Sequence, residues 1–553
     1  MHKASRPIHR FRLGSPFGVV LISAAVLAAC SDDNTNPSPT TYSVGGTLSG
    51  LTAGKSVVLR NNGGDDKTLD ADGPFTFATR LASGGNYNVT VLTQPAGMVC
   101  PVTGGVGSIA ASDVTTVAVD CSDVTTTLDH TFGPGGTGFA TFDAGSNTDD
   151  SGNELTLDGS GRLVVAGHSF NPATGALEMA LWRVDTNGTI DGGFGTGGLV
   201  RSPGSTVGGL YTPEVIGSSV RVDGSGRIVV AGYDIDSTGT WGVTVWRFTS
   251  AGQPDATFGT GGFVRLENPQ SAGVGLALDG SGRPVVSGFA WNGTDWDAAV
   301  WRFTTDGIPD STFNGTGFVT QNSSAGSGQA MGEDIGVGVA IDGSGRIVMA
   351  GYSSNAAGNQ DMTVWRYTSA GVLDASFNGT GFFRHDNAGG GGGNDVGRTI
   401  AFDGSNRIVV VGWSPSSGGG DDLAVWRLTP TGALDMTFNG TGYATHNGAA
   451  GGNGTDTGRD IAIDAAGRLI LVGESTNAAG DLDLTVWRYT ASGLLDVTFN
   501  GTGYFTHSAA AGGTNGNDAG RGVAIDAANR IVVAGRSTSA AGTLDMAVWR
   551  IRP

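Results

Sequence analysis

Near its end the chain reads YFTH (504–507), GVAID (522–526), RIVVAG (530–535) and DMAVWR (545–550), four short runs separated by stretches rich in Gly, Asn and Asp. Each run is dominated by β-branched, aromatic and small apolar residues, is too short for a helix and is bounded by turn formers, so each reads as a strand. The middle runs are apolar on both faces: Val523 and Ile525 flank Ala524, and Ile531 and Val533 flank Val532. A sheet with one wet face alternates apolar and polar residues, whereas a sheet pressed between two neighbours does not. Four strands in up-down-up-down order, apolar on both sides, describe one blade of a β-propeller.

The same signals recur along the chain. A Trp-Arg pair stands at Trp182, Trp246, Trp301, Trp365, Trp426, Trp487 and Trp549. A turn ending in Arg recurs at Arg162, Arg227, Arg283, Arg346, Arg407, Arg468 and Arg530, and the Phe of TFNGTG-like turns at Phe132, Phe194, Phe258, Phe313, Phe377, Phe438 and Phe499. Three markers, each found seven times over 128–553, give a period of about 61 residues, the size of a solenoid, propeller or array unit. With the run after each Phe turn taken as a unit's first strand, the seventh unit ends complete at residue 553, and the ring is expected to close head to tail without a shared blade. The expected fold is therefore all-β, a seven-bladed β-propeller over 124–553.

Composition agrees. Gly accounts for 97 of 553 residues with no collagen-like period, so it serves turns. The acids are almost all Asp, a turn former, and the bases almost all Arg, which argues against helical bundles and α/β enzymes. A net charge of −19 argues against a sequence-independent nucleic-acid binder.

The N-terminus reads as an address. Residues 1–13 carry Lys3, Arg6, Arg10 and Arg12 and no acid, and an apolar run at 17–29 is too short to span a bilayer. It ends Leu27-Ala28-Ala29-Cys30. This resembles a bacterial lipoprotein signal. The resemblance implies a signal peptide at 1–29, lipidation of Cys30, a polar tether over 30–40 and, because Ser31 rather than Asp follows, lipid anchoring at the outer membrane, surface-exposed or facing the periplasm. An ordinary secretory signal with an incidental Cys is the alternative. Removing Cys30 leaves Cys100 and Cys121 as a pair in an oxidising compartment, which predicts a disulfide. Between them, TYSVGGTLSG, KSVVLR, PFTFATRL, NYNVTVLT and VTTVAVDC mark 41–123 as a small β-sandwich resembling the Ig-like modules next to the anchor of bacterial surface lipoproteins.

The repeat itself resembles the delta-60 repeat family of bacterial surface proteins, carried here by GALDMTFNGTGYATH (432–446), IAIDAAGRLILVG (461–473) and DLTVWRYTASG (483–493). The resemblance implies a β-propeller of unknown function and supplies no catalytic residues. Where family members often have a Pro-Asp-Gly-Lys turn, this chain has Asp-Gly-Ser-Gly-Arg (279–283) or Asp-Ala-Ala-Gly-Arg (464–468), which keeps the turn chemistry.

A ligand site is expected on the end of the ring that carries the long loops between first and second and between third and fourth strands, because variable loops on a rigid scaffold hold binding residues. Its candidates are the residues after the strand-three Gly, His168, Tyr233, Phe289, Tyr352 and Trp413, with Trp241, Trp291 and Trp296 in neighbouring loops. Such aromatics suit a glycan or protein ligand. An acid four residues before the repeat Trp (Asp361, Asp422, Asp483, Asp545) could assemble calcium oxygens or cap its own loop, and the absence of an Asp-x-Asp-x-Asp loop favours the cap. His385, His446 and His507 sit at equivalent places in successive units, too far apart to share a metal. No G-x-S-x-G elbow, HExxH or P-loop is present. The expected function is a non-catalytic, surface-anchored binding or scaffold protein of the cell envelope with no cofactor. Two alternatives stay open: a glycan-active hydrolase or lyase using loop-face Asp residues, and a purely structural envelope protein.

Overall fold

The computed structural model describes residues 40–553 apart from 96–97, 101, 124–126, 146–147, 203–213, 237, 268, 323–331 and 514–515. The expected signal peptide and Cys30 lie outside the described residues. Among these residues there is no α-helix, only a 3-10 turn at Pro134–Gly136, and the protein is all-β.

The first part of the chain forms two four-stranded sheets. One joins Val57–Asn61, Asp65–Leu69, Asn86–Thr93 and Val106–Ser108; the other joins Val44–Ser49, Gly73–Thr76, Val102–Thr103 and Val114–Asp120, with Val44–Ser49 and Val114–Asp120 parallel. Alternate residues of both, including Val44, Leu48, Val57, Leu59, Val117 and Val119, share one core. Cys100 and Cys121 are bonded and buried in it, as the cysteine count predicted.

The rest is a β-propeller of four-stranded antiparallel sheets. Their inner strands are Asp150–Leu157, Glu214–Val222, Ser271–Leu278, Asp334–Ile341, Val396–Phe402, Gly451–Ile463 and Asp518–Ile525, and the sheets are numbered 1 to 7 in that order. Sheets 1 and 2 are joined by a single parallel bridge between Leu177 and Glu214. Successive inner strands lie side by side, and that of sheet 7 lies against that of sheet 1. The inner strand of sheet 6, Gly451–Ile463, is 13 residues long and begins in a Gly-rich stretch, GGNG.

The division into units differs from the expectation by one strand. Tyr504–His507 is not the first strand of the last sheet. It is the outer strand of sheet 6, paired with the strand of Trp487. The outer strand of sheet 7 is Phe139–Phe142, from the other end of the propeller, with Phe139 opposite Trp549. One sheet is therefore shared between the two ends of the propeller segment, and the expectation of closure without a shared blade is corrected. The cause is the Trp-Arg pair. Each Arg folds the following turn back along its own strand: its Nε donates to the turn Asp at 2.8 Å in all seven sheets, Arg183–Asp191 through Arg488–Asp496, and in sheet 7 Arg550–Asp129. The turn Phe lies under the guanidinium, 4.4–4.9 Å away, as with Arg183 over Phe194 and Arg302 over Phe313. A strand leaving such a turn can only be the hairpin partner of the strand that entered it.

Each sheet serves two cores. Val165 and Trp182 of sheet 1 pack with Val532, Met546 and Val548 of sheet 7, while Val164 and Leu181 pack with Val220, Val230 and Trp246 of sheet 2. Neighbouring residues face opposite cores, which is why the strands are apolar on both sides. The repeat Trp fills the gap between sheets.

Turns between inner and second strands are built alike. Asp158 Oδ1 accepts the amides of Ser160 and Arg162, and its Oδ2 accepts Arg162 Nε at 2.7 Å. The residue before the Arg adopts positive φ, so it is Gly (Gly161, φ 76) or Asn (Asn406, φ 60).

Candidate functional site: the central cavity

Every inner strand carries a β-bulge at the same place. The pairing register slips between Gly152 and Glu154, Gly217 and Ser219, Gly273 and Gly275, Gly336 and Gly338, Gly397 and Thr399, Gly458 and Asp460, and Gly520 and Gly522. The recurrent Gly of the second strand allows it. A Cβ on Gly167, Gly232 or Gly412 would lie 1.8 Å from the carbonyl oxygen of Ser151, Ile216 or Val396, so no other residue fits. A bulge leaves one residue unpaired and bends the strand. The seven bulged residues are Asn153, Ser218, Val274, Val337, Arg398, Arg459 and Arg521, and all seven line one cavity of about 450 Å3 that is walled by all seven inner strands. The scaffold is repetitive, yet the position it turns inward is not.

The cavity has two unlike sides. On sheets 2–4 it meets Tyr233, Trp241, Phe289, Val274 and Val337. Tyr233 and Trp241 stack at 5.1 Å with 17° between planes. Trp296 packs edge-on against Phe289, and Trp291 against Trp296, so these two back the aromatic wall and do not line the cavity. On sheets 5–7 the lining is Arg398, Arg459 and Arg521 together with Thr399, Ile400 and Asp460. Arg459 lies over Trp413 at 5.2 Å, and its Nε donates to Glu474 Oε1 at 2.8 Å. Burial alone would raise the Glu474 carboxyl, but Arg459 and Arg521 outweigh it and hold it below the ordinary range. Burial, with Arg459 adding repulsion, pushes Arg398 down to about 10. Arg521 falls to about 9 for the same reason, despite the attraction of Glu474.

Two carboxylates also face inward. Glu154 is bonded to Arg221 and accepts the Val220 amide at 3.3 Å. Asp460 accepts the Val523 amide at 2.8 Å and Thr399 Oγ1 at 3.2 Å. Burial, reinforced by the charge of Glu154, pushes Asp460 up to about 7. His168, also lining the cavity, is pushed down to about 4 by burial and by Arg536 and Arg521.

Of the sequence-derived candidates, His168, Tyr233, Phe289 and Trp241 meet at the cavity, whereas Tyr352 and Trp413 are not among its lining. Trp241 and Trp296 begin strands and Trp291 ends one, so none is a loop residue as expected. The acids before the repeat Trp are loop ties: Asn355 Nδ2 donates to Asp361 at 2.6 Å, Asn447 to Asp422 at 2.7 Å and Asn477 to Asp483 at 2.8 Å. Asp545 pairs in register with Ser537. Among the described residues no group of His, Cys, Asp or Glu is arranged to hold a metal ion. The three histidines have another role. His385, His446 and His507 Nδ1 accept the indole N–H of Trp426, Trp487 and Trp549 in the next sheet, each at 3.3 Å.

Sequence reasoning missed Arg398, Arg459, Arg521, Glu154, Arg221 and Asp460. The signal was present: aligned on the Gly before the bulge, the units read GNE, GSS, GVG, GVG, GRT, GRD and GRG. The varying residue follows an invariant one.

Comparison with known proteins bears on the fold. Segments 159–194, 224–258, 281–313, 343–377, 404–438 and 467–499 match the domain of unknown function (DUF5122) beta-propeller. Each runs from the inner turn through the second and third strands to the turn Phe. Six segments of the chain are thus similar to that β-propeller repeat. No curated protein matched the chain. Solved structures similar to it include a protein of unknown function from Dyadobacter fermentans (12% identity, 75% of this chain and 99% of that one, TM-score 0.37). Others are the polysaccharide lyase Uly1 (9%, 74% and 93%, TM-score 0.42) and an α-L-arabinofuranosidase from Fusarium graminearum (8%, 75% and 96%, TM-score 0.35). Nothing about this chain's chemistry follows from likenesses so distant.

Proposed function

We propose that the chain is a lipid-anchored envelope protein of the bacterial outer membrane, a closed ring of seven blades preceded by a β-sandwich over 41–123, whose central cavity binds a glycan. One observation carries this reading. The bulge that recurs in every inner strand delivers to a single cavity seven residues of four kinds, Asn, Ser, two Val and three Arg, with an aromatic wall on one side and arginines on the other. A purely structural ring has no use for such a break in its repetition. Aromatic rings beside fixed polar groups are what sugar recognition needs. Anchoring through Cys30 places the cavity in the envelope, where polysaccharides are found; Cys30→Ser is expected to move the protein from the membrane to the soluble fraction. Screening the full chain on a glycan array tests the binding: wild type retains a glycan and Trp241→Ala loses it. Equal retention by both would refute the cavity as the site.

A second reading, glycan cleavage, is favoured by Asp460. A buried carboxyl pushed up to about 7 in the same cavity as the arginine-bonded Glu154 is the kind of group that general acid–base chemistry uses. If it holds, a polysaccharide panel releases products, and Asp460→Asn stops the release while binding survives.

A further inference from the structure

We infer that the cavity selects an acidic sugar, one whose ring carries a carboxylate or a sulfate, with the anion held by Arg398 and Arg521 and the ring set against Tyr233 and Trp241. This rests on the glycan-binding reading and narrows it to a substrate class.

The chain carries a net −19, yet this wall of the cavity is cationic. Four arginines and two carboxylates line the cavity, but they do not cancel evenly. Arg221 is engaged by Glu154. Burial and the charge of Glu154 push the Asp460 carboxyl up and disfavour its charge. Arg459 is engaged by Glu474. Among the described residues, no hydrogen bond or ion pair is made by the side chains of Arg398 or Arg521, and Arg521 Nε is buried without a partner. Arg536 adds a fourth cation on the same side, also with its Nε buried and unpartnered. Buried cations that outnumber the one carboxylate near them, Glu474, are unfavourable, and burial together with their mutual repulsion lowers the affinity of Arg398 and Arg521 for their protons despite that attraction. An anion entering the cavity removes it. A guanidinium presents a planar fork that matches carboxylate and sulfate oxygens in pairs.

The other half of the cavity says what else the ligand must have. The stacked pair Tyr233–Trp241 offers a broad apolar face on the arc of sheets 2–4, while the arginines occupy the arc of sheets 5–7. A bare inorganic anion would leave that face unused. Asn153 on sheet 1, between the two arcs, and Ser218 and Ser219 on sheet 2 supply small hydrogen-bonding groups. A pyranose has an apolar ring face and hydroxyls, and a uronic or sulfated sugar adds the anion. The volume, about 450 Å3, is in the range of sites for small ligands.

The test is a titration of the full chain followed by tryptophan fluorescence and calorimetry. Four probes are used: trigalacturonate, a sulfated galactan oligosaccharide, a neutral galactan oligosaccharide of equal length, and oligo-aspartate. At least one charged saccharide is expected to bind more than tenfold tighter than the neutral one, and which of the two does so identifies carboxylate or sulfate. Arg398→Gln and Arg521→Gln, which break no internal pair, are each expected to weaken that binding tenfold or more while melting no lower than wild type. Equal binding of charged and neutral saccharides, unaffected by these variants, would overturn the acidic preference and leave the glycan site standing. Oligo-aspartate binding as tightly as the saccharides, indifferent to Trp241→Ala, would overturn it in favour of an acidic peptide. Failure of every probe to bind overturns this inference and the glycan-binding reading together.

Discussion

Single residues do two separable jobs in this protein. Gly288 holds the bulge of sheet 3 open, because a Cβ there would sit 1.9 Å from the Ala272 carbonyl oxygen; Gly280, in the adjacent turn, has nothing within 4 Å. Gly288→Ala is expected to cost about 1–3 kcal/mol as an overpacked core position and Gly280→Ala next to nothing, both read by thermal unfolding. The histidines at sheet junctions give a pH signature. His507 falls to about 4 through burial, and His385 and His446 shift the same way, so the folded state favours their neutral, accepting form. A depressed histidine pKa contributes stability that is complete above the unfolded value of about 6.5 and is lost as pH falls toward the folded one. Buried Asp150, pushed up to about 6 by burial, acts with the opposite sign, so the difference between wild type and His507→Leu isolates the histidine. That difference is expected to shrink between pH 6.5 and 4; a difference constant across that range would contradict the hydrogen bond to Trp549. Neither job is announced by residue type. The recurrence of Gly was visible in sequence, but its cause, an approach to a neighbouring carbonyl, is a tertiary fact. The histidines read as spaced equivalents, and only the sheet-to-sheet geometry supplied their indole partners.

The repeating element is the strand–turn–strand unit latched by Arg, Asp and Phe. Its charges are nearly shielded from solvent: the side chains of Arg550 and Asp129 are 4% and 5% exposed. Removing one partner of a buried pair leaves the other unanswered, so Asp129→Ala is expected to cost about 3–5 kcal/mol, and Asp66→Ala, at an exposed pair in the first part of the chain, far less. Although burial opposes ionisation, bonds from Thr131 and the charge of Arg550 hold Asp129 below the ordinary carboxylate range. Its contribution is therefore present above pH about 4 and lost below it, which acid unfolding of Asp129→Asn against wild type should show as a smaller loss in the variant. Strand identity was legible from the runs quoted at 504–550, because period and turn chemistry are local. Strand partnership was not: YFTH looks the same whether it opens one sheet or closes the preceding one, and the Arg550–Asp129 latch that decides it spans nearly the whole propeller sequence.

At the scale of the molecule, closure depends on Phe139–Phe142 completing the sheet of Leu544–Ile551, with Leu155 and Val165 packed against Val532 and Val548 across the junction. Val548→Asp is expected to open that junction and lower the melting temperature of the propeller, read by differential scanning calorimetry; an unchanged melting profile would place the closing sheet elsewhere. The ring was foreseeable because self-similarity survives in the sequence. The cavity was hidden because a site made of seven chain segments has no motif, and its residues stand out only once the inner strands are laid side by side. The most direct measurement is a crystal structure of the full chain soaked with the tightest-binding glycan. The ligand is expected in the central cavity, between Trp241 and Arg521. Density on the outer rim of the sheets, or on residues 41–123, would contradict a site built from the seven bulges.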